Sequence, residues 1–197
     1  MKVLVVYCHP CNDSFNATVR DVVVDALEKG GQQVRLADLY AAGFDPVMRV
    51  EEWRGYFKDD VDVEPIRDQA QQLLWAEAVI FIYPTWWYGL PAMLKGWLER
   101  VMVPGLAFEM PVSLLGPRSK LRHIRRLLVL TTCGASPLLS RLMGQPGRRT
   151  LLRGFRSLCH VLCRTQYLAL YNMDSVTERQ KSAHLERVRK AVAALSA

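Results

Sequence analysis

The feature that most constrains the fold is KVLVVY at residues 2–7, where an unbroken apolar run follows Lys2 and a half-solvated strand would alternate. Such a run reads as a strand buried on both faces, as in a parallel sheet covered by helices on each side. The rest of the chain keeps that rhythm. SFNATVRDVVVDALEKGG sets Phe15, Val19, Val22, Val23, Ala26 and Leu27 at helical spacing and stops at Gly30-Gly31, a pair suited to a helix C-terminus. QQVRLADL predicts a second strand and residues 65–77 a helix with Pro65 in its first turn. AVIFIY predicts a third strand, and PAMLKGWLERVM a helix with Leu94, Trp97, Leu98 and Val101 on one face. LLVLTT and QYLALY predict the fourth and fifth strands, with a helix within 149–163 between them. Thr177 and Gln180 form a capping box for a last helix carrying Leu185, Val188, Val192 and Leu195.

Strands alternating with helices predict an α/β fold, a doubly wound five-stranded parallel sheet in the flavodoxin-like order 2-1-3-4-5. No repeat or low-complexity segment divides the 197 residues, so residues 1–197 are expected to form a single domain. In such a sheet the ligand sits at the carboxyl ends of the strands, around the switch in strand order. That nominates the loops 8–16, 84–91 and 131–137.

Composition narrows the function. Hydrophobic residues make up 50% and charged residues 23% of the chain, as in an ordinary globular domain. No run approaches the roughly 18–20 apolar residues of a membrane span, so no integral membrane protein and a cytoplasmic location are expected. Five cysteines, an odd count, are expected to be free thiols rather than a disulfide framework. The net charge of +7 raises the question of a nucleic-acid partner. Its sources, GPRSKLRHIRR and GRRTLLRGFR, form no obvious reading helix. No nucleic acid is expected; a solvated basic surface or a patch for an anionic small molecule remains.

The first nominated loop opens with Cys8-His9-Pro10-Cys11. A redox Cys-x-x-Cys of the thioredoxin type would have a strand and helix ahead of it, and here almost nothing precedes. A zinc site would need two more ligands. Cys159, His160 and Cys163 are spaced like half a site, but SLCHVLC reads better as part of an apolar helix with small core cysteines. The third reading uses the polar turn that follows, with His9, Asn12, Asp13, Ser14 and Asn16 at the start of a helix, where open N–H groups and the helix dipole suit a phosphate. Without a Gly-rich run and a Lys-Ser/Thr pair, a nucleoside triphosphate is not indicated. In the second loop, YPTWWYGLP places Trp86, Trp87 and Tyr88 side by side. Three adjacent aromatics in a loop suit a core plug, a dimer interface or a planar ligand packed on them. A flavin fits both loops, its phosphate on the first and its ring on the second.

HPCNDSFN after the first strand, YPTWWYGLPAMLKGWLERV after the third and TTCG after the fourth resemble the flavodoxin-like NAD(P)H:quinone oxidoreductases, the DT-diaphorase relatives. The resemblance implies that His9, Ser14, Phe15 and Asn16 hold the flavin phosphate, that Pro84, Thr85, Trp86, Trp87 and Tyr88 lie along the isoalloxazine, and that Thr131, Thr132, Cys133 and Gly134 meet its far edge. It implies two-electron ping-pong transfer from NADPH or NADH to a quinone-like acceptor, with no catalytic side chain assigned. It also implies a homodimer with shared active sites, in which Trp53, Tyr56 and Phe57 of the long 40–64 connection cover a neighbouring site. FAD is favoured by the SFN turn and that connection; FMN shares the phosphate loop. Arg118, Lys120, Arg148 and Arg149 are candidates for reading the extra phosphate of NADPH. Two departures stand out. The family's Thr-Thr-Gly-Gly is Thr-Thr-Cys-Gly here, and the Tyr and His that many relatives carry shortly afterwards have no counterparts in ASPLLSRLMGQPGRR. Competing expectations are a flavin-bearing regulatory subunit of a membrane transporter and a one-electron flavodoxin-type carrier, the latter usually acidic where this chain is basic.

Overall fold

The apolar runs become the centre of one parallel sheet: β1 (Lys2–Tyr7), β2 (Gln33–Asp38), β3 (Ala78–Thr85), β6 (Arg126–Cys133) and β7 (Arg164–Leu170), in the order β2-β1-β3-β6-β7. This is the 2-1-3-4-5 order once the short hairpin of β4 (Phe108–Glu109) and β5 (Arg118–Ser119) is set aside. The computed structural model describes residues 1–56, 62–110 and 118–195. Phe57 lies outside the described residues.

The central strands are apolar along most of their length because their residues alternate between two buried layers. Val3, Val5, Tyr7, Ile80, Ile82, Leu128 and Leu130 face the layer of α1 (Phe15–Lys29) and α7 (Glu178–Ala193). Leu4, Val6, Cys8, Val79, Phe81 and Val129 face the opposite layer. That layer holds α3 (Arg67–Trp75), α4 (Ala92–Val101) and the helical segment formed by α6 (Pro146–Arg149) and a wider π-type turn at Thr150–Phe155. Trp97 of α4 and Phe155 both pack edge-to-face with Phe81, at 5.9 and 5.2 Å between ring centroids.

Local signals set the ends. Ser14 caps α1 by accepting the Ala17 N–H, worth about 1 kcal/mol. Gly31 leaves the helix at φ +69, a conformation open to glycine without strain. Thr177 and Gln180 exchange the two expected capping bonds. Pro65 sits in a 3₁₀ turn, Glu64–Ile66, and the α-helix begins only at Arg67.

The expected helix through SLCHVLC does not continue to Cys163. After Phe155 only Arg156 and Ser157 stay helical, and the chain then turns back. Other partners take its backbone groups: His160 N–H donates to the Ile124 carbonyl, Leu162 N–H to His160 Nδ1, and the Arg156 guanidinium to the carbonyls of Val161 and Cys163. Cys159 and Cys163 are nevertheless buried, as the small-core reading expects.

The long 40–64 connection is pinned across α4. It carries α2 (Val50–Gly55), whose Glu52 pairs with the buried Arg100 at 2.7 Å. Pro46 crosses so close to Gly96 that a Cβ there would lie 2.2 Å from the Pro46 carbonyl oxygen. A glycine inside a helix is unfavourable, and this crossing is its physical reason.

Candidate functional site

Parallel strands with a common register deliver their carboxyl ends to one place. Thr85, the last residue of β3, is opposite Cys133, the last of β6, and Tyr7, the last of β1, is opposite Ile82. The three nominated loops therefore leave the sheet side by side, at the switch between β1 and β3.

Three contacts tie them together. Asn16 is buried in the first turn of α1, and its Nδ2 donates to Thr132 Oγ1 at 2.8 Å. The hydroxyls of Thr85 and Thr131 are 2.9 Å apart. The rings of His9 and Trp86 are 6.2 Å apart, centroid to centroid. His9 Nδ1 lies 3.0 Å from the Cys11 nitrogen and 3.2 Å from the Cys11 carbonyl oxygen, so the ring is held against the loop backbone.

The first loop has spare donors. The N–H groups of Asn12, Asp13, Phe15 and Asn16 find no acceptor among the described residues. At the start of a 15-residue helix these are the groups that an anion satisfies. Cys8 is fully buried and burial pushes its thiol up to about 12, whereas Cys11 is exposed. The two sulfurs do not form a disulfide, and Cys8 belongs to the core under α4.

The second loop is strained. Trp87 and Tyr88 have φ of +49 and +63, and the Gly89 N–H closes the turn on the Trp86 carbonyl at 2.9 Å. Two consecutive left-handed residues make the kind of tight hairpin turn that Asn-Gly usually fills. Bulky aromatics there cost about 1–2 kcal/mol each. Trp87 does not fill the core, being 94% exposed, and Tyr88 is half-buried.

The third loop starts from buried Thr131 and Thr132 and reaches exposed Gly134, where a Cβ would stand 3.2 Å from the Asp174 carboxylate. Cys133, which replaces the expected glycine, is buried with its sulfur 3.5 Å from Ser140 Oγ of α5 (Pro137–Leu142).

Thr85, Tyr88 and Cys133 line a narrow crevice with side chains that the sequence reading passed over: Gln145, Tyr167 and Tyr171. The tyrosines come from β7 and the residue after it, far in sequence from ASPLLSRLMGQPGRR. Tyr171 hydroxyl accepts from Gln145 Nε2 at 3.0 Å, and burial raises the Tyr167 hydroxyl pKa. Gln145 itself holds a left-handed φ of +47. His184, also missed, is buried beside Phe15 at 6.1 Å between rings, its Nδ1 has no partner among the described residues, and burial with Arg187 nearby lowers its pKa to about 4. It borders a groove of about 280 Å³ shared with Tyr171, Asn172, Gln180 and Arg187. Of the four candidate phosphate-reading cations, Arg118 pairs with Glu109 at 3.9 Å and Lys120 donates to the Gly105 carbonyl, while Arg148 and Arg149 stay near the crevice.

Fold and site together define an α/β protein whose three candidate loops leave the sheet side by side at its switch point, polar on one loop and aromatic on the next. The chain belongs to the family described as having a flavodoxin-like fold, whose model matches residues 1–195. It is 31% identical over 155 residues to NAD(P)H dehydrogenase [quinone] 1 of Rattus norvegicus, covering 71% of this chain and 56% of that protein. It is 34% identical over 126 residues to ribosyldihydronicotinamide dehydrogenase [quinone] of Pongo abelii, covering 56% of this chain and 54% of that protein. The chain thus spans about half the length of the curated relatives it matches. Among solved structures, NAD(P)H:quinone oxidoreductase from Methanothermobacter marburgensis superposes with a TM-score of 0.85 at 25% identity, covering 100% of this chain and 98% of that one. No helix among the described residues is long and apolar enough to cross a membrane.

Proposed function

We propose that the cleft binds a flavin and that the chain is a flavin-dependent NAD(P)H:quinone oxidoreductase working by two-electron ping-pong transfer. One observation carries the reading: open N–H donors at the start of α1 and a strained, solvent-facing aromatic turn meet at one sheet end and are cross-tied there by Asn16–Thr132 and Thr85–Thr131. Spare donors for phosphate and exposed rings for a planar heterocycle are the chemistry a flavin asks of a protein. When bound, the flavin supplies hydride acceptance from a reduced nicotinamide and delivery of two electrons to a quinone.

The residues divide the work. His9, Ser14, Phe15 and Asn16 hold the phosphate. Pro84, Thr85, Trp86, Trp87 and Tyr88 bound the ring, and Thr131, Thr132, Cys133 and Gly134 close its far edge. A ring packed on the aromatic turn is shielded from water on that face, which strengthens the action of nearby backbone donors on developing negative charge. No side chain need act as nucleophile. FAD is the preferred flavin, supported by the groove beyond Phe15 and His184, which offers room for an adenylate end.

The same reading includes a homodimer, one flavin-binding unit spanning residues 1–197, and a cytoplasmic enzyme. Exposed Trp53 and Val50 on α2 and Leu138 and Leu142 on α5 are the apolar surface that a second copy would cover. Sedimentation equilibrium is expected to give twice the 22.4 kDa chain mass. Flavin-loaded protein is expected to oxidise NADPH or NADH with a quinone. Absence of NAD(P)H oxidation with quinones, azo dyes and free flavin alike would remove the proposal.

A further inference from the structure

Between residues 110 and 173 the chain carries eleven Lys and Arg side chains and no Asp or Glu. Four of them, Arg141, Arg148, Arg149 and Arg153, line one cavity of about 420 Å³ together with Gln145 and Thr165. Arg20, Arg100 and Arg189 each have a carboxylate partner, but among the described residues none of these four does. Like charges gathered in a concavity without counter-ions raise the local positive potential and favour an anion there. Guanidinium groups suit phosphate in particular, because their forked donors match its oxygens.

The cavity is built into the ligand cleft. Gln145 and Arg148 line both the cavity and the crevice of Thr85, Tyr88 and Cys133. Arg148 donates to Gln145 Oε1 at 3.0 Å and lies over the Tyr167 ring at 5.2 Å. Gln145 is fixed in turn by Tyr171. Next to Arg148, Gly147 brings its helix against the aromatic loop so closely that a Cβ would stand 3.2 Å from the Gly89 carbonyl carbon and 3.3 Å from the Leu90 nitrogen. The arginine-bearing segment therefore abuts the loop expected to bound the flavin ring.

We propose that this cavity is the subsite for the 2′-phosphate of NADPH, a phosphomonoester dianion, and that it makes the enzyme prefer NADPH to NADH. The proposal rests on the oxidoreductase reading for its biological meaning but can be tested without it. Calorimetry would compare 2′,5′-ADP, 5′-AMP and inorganic phosphate on the wild type, Arg149→Ala, Arg153→Ala and the charge-retaining Arg149→Lys. The wild type should bind 2′,5′-ADP well above 5′-AMP and inorganic phosphate, and each Ala variant should weaken 2′,5′-ADP about tenfold, the usual size of a lost charged hydrogen bond. In steady state the ratio of the KM for NADPH to that for NADH should rise by a similar factor in the Ala variants, with partial recovery in Arg149→Lys. Equal binding of 2′,5′-ADP and 5′-AMP, inorganic phosphate binding as tightly as 2′,5′-ADP, or an unchanged KM ratio would each overturn the subsite. A protein that turns over neither nucleotide yet binds 2′,5′-ADP through these arginines would support the subsite while removing the oxidoreductase reading.

Discussion

Trp97 and Trp87 stand ten residues apart and serve opposite ends. Trp97 has no exposed surface and meets Phe81 at the heart of one core layer, on a helix whose Gly96 lets Pro46 cross in contact. Trp87 is almost wholly exposed, in a backbone conformation that bulky residues avoid. The difference separates aromatic surface that makes the fold from aromatic surface that the fold holds out at some cost. A domain can carry such strain only where its packing elsewhere over-determines the loop, and such outliers gather at functional sites.

The largest effects should therefore fall on the helix. Trp97→Ala should lose about 3–5 kcal/mol in urea denaturation, the range for an emptied aromatic core position. Gly96→Ala should be comparably damaging, because the added Cβ meets Pro46 backbone rather than a movable side chain tip. A mild effect of both would erase the contrast with the loop.

His184 sharpens the contrast by pH, since it lies in the core although it borders the groove. Its folded pKa, about 4, is below the ordinary value, so the unfolded chain takes up the proton first as pH falls. The stability present at neutral pH should decline from about pH 6.5 to 4, by up to about 3 kcal/mol. A His184→Phe variant should lack that part of the decline. An identical acid profile for the two proteins would place the acid sensitivity in other groups.

The loop should answer in the opposite sense. Replacing Trp87 by Asn together with Tyr88 by Gly fits the turn geometry, so the flavin-free protein should gain about 2–4 kcal/mol. Flavin affinity should fall about tenfold from the lost stacking surface. A variant that gains stability and keeps its affinity would show the strain to be unrelated to the ligand.

The smallest effect belongs to the opening cysteines. Cys11→Ser should change stability by no more than about 0.5 kcal/mol, as exposed positions do. Maleimide at pH 7.5 should label Cys11 in the native protein and reach Cys8 only after unfolding. Rapid labelling of both would return Cys8 to the cleft, and loss of turnover with flavin retained in Cys11→Ser would revive a redox thiol.

The sheet was legible because burial on two faces writes itself into strands such as KVLVVY, and α1 because Ser14 and Gly30-Gly31 mark its ends with local chemistry. The cleft followed from topology: three strands in register must end together. What stayed hidden depended on contacts between distant residues. Nothing near Gly96 announces that Pro46 crosses it, and Tyr171 joins the crevice only because β7 lies beside β6. The turn at residues 158–163 has an apolar spacing that fits a helix, while the bonds that end the helix come from Ile124 and the Arg156 side chain. The arginines were visible singly, but their convergence on one cavity needed the path of α6 under the aromatic loop.

The most direct test of the proposed flavin cleft is the visible absorption of the purified protein, loaded with FAD or FMN, during anaerobic addition of NADPH and then of a quinone. Flavin bands that bleach with NADPH and return with the quinone are the predicted result. A protein that stays colourless after loading with either flavin, or whose flavin bands do not respond to the nucleotide, would contradict the account.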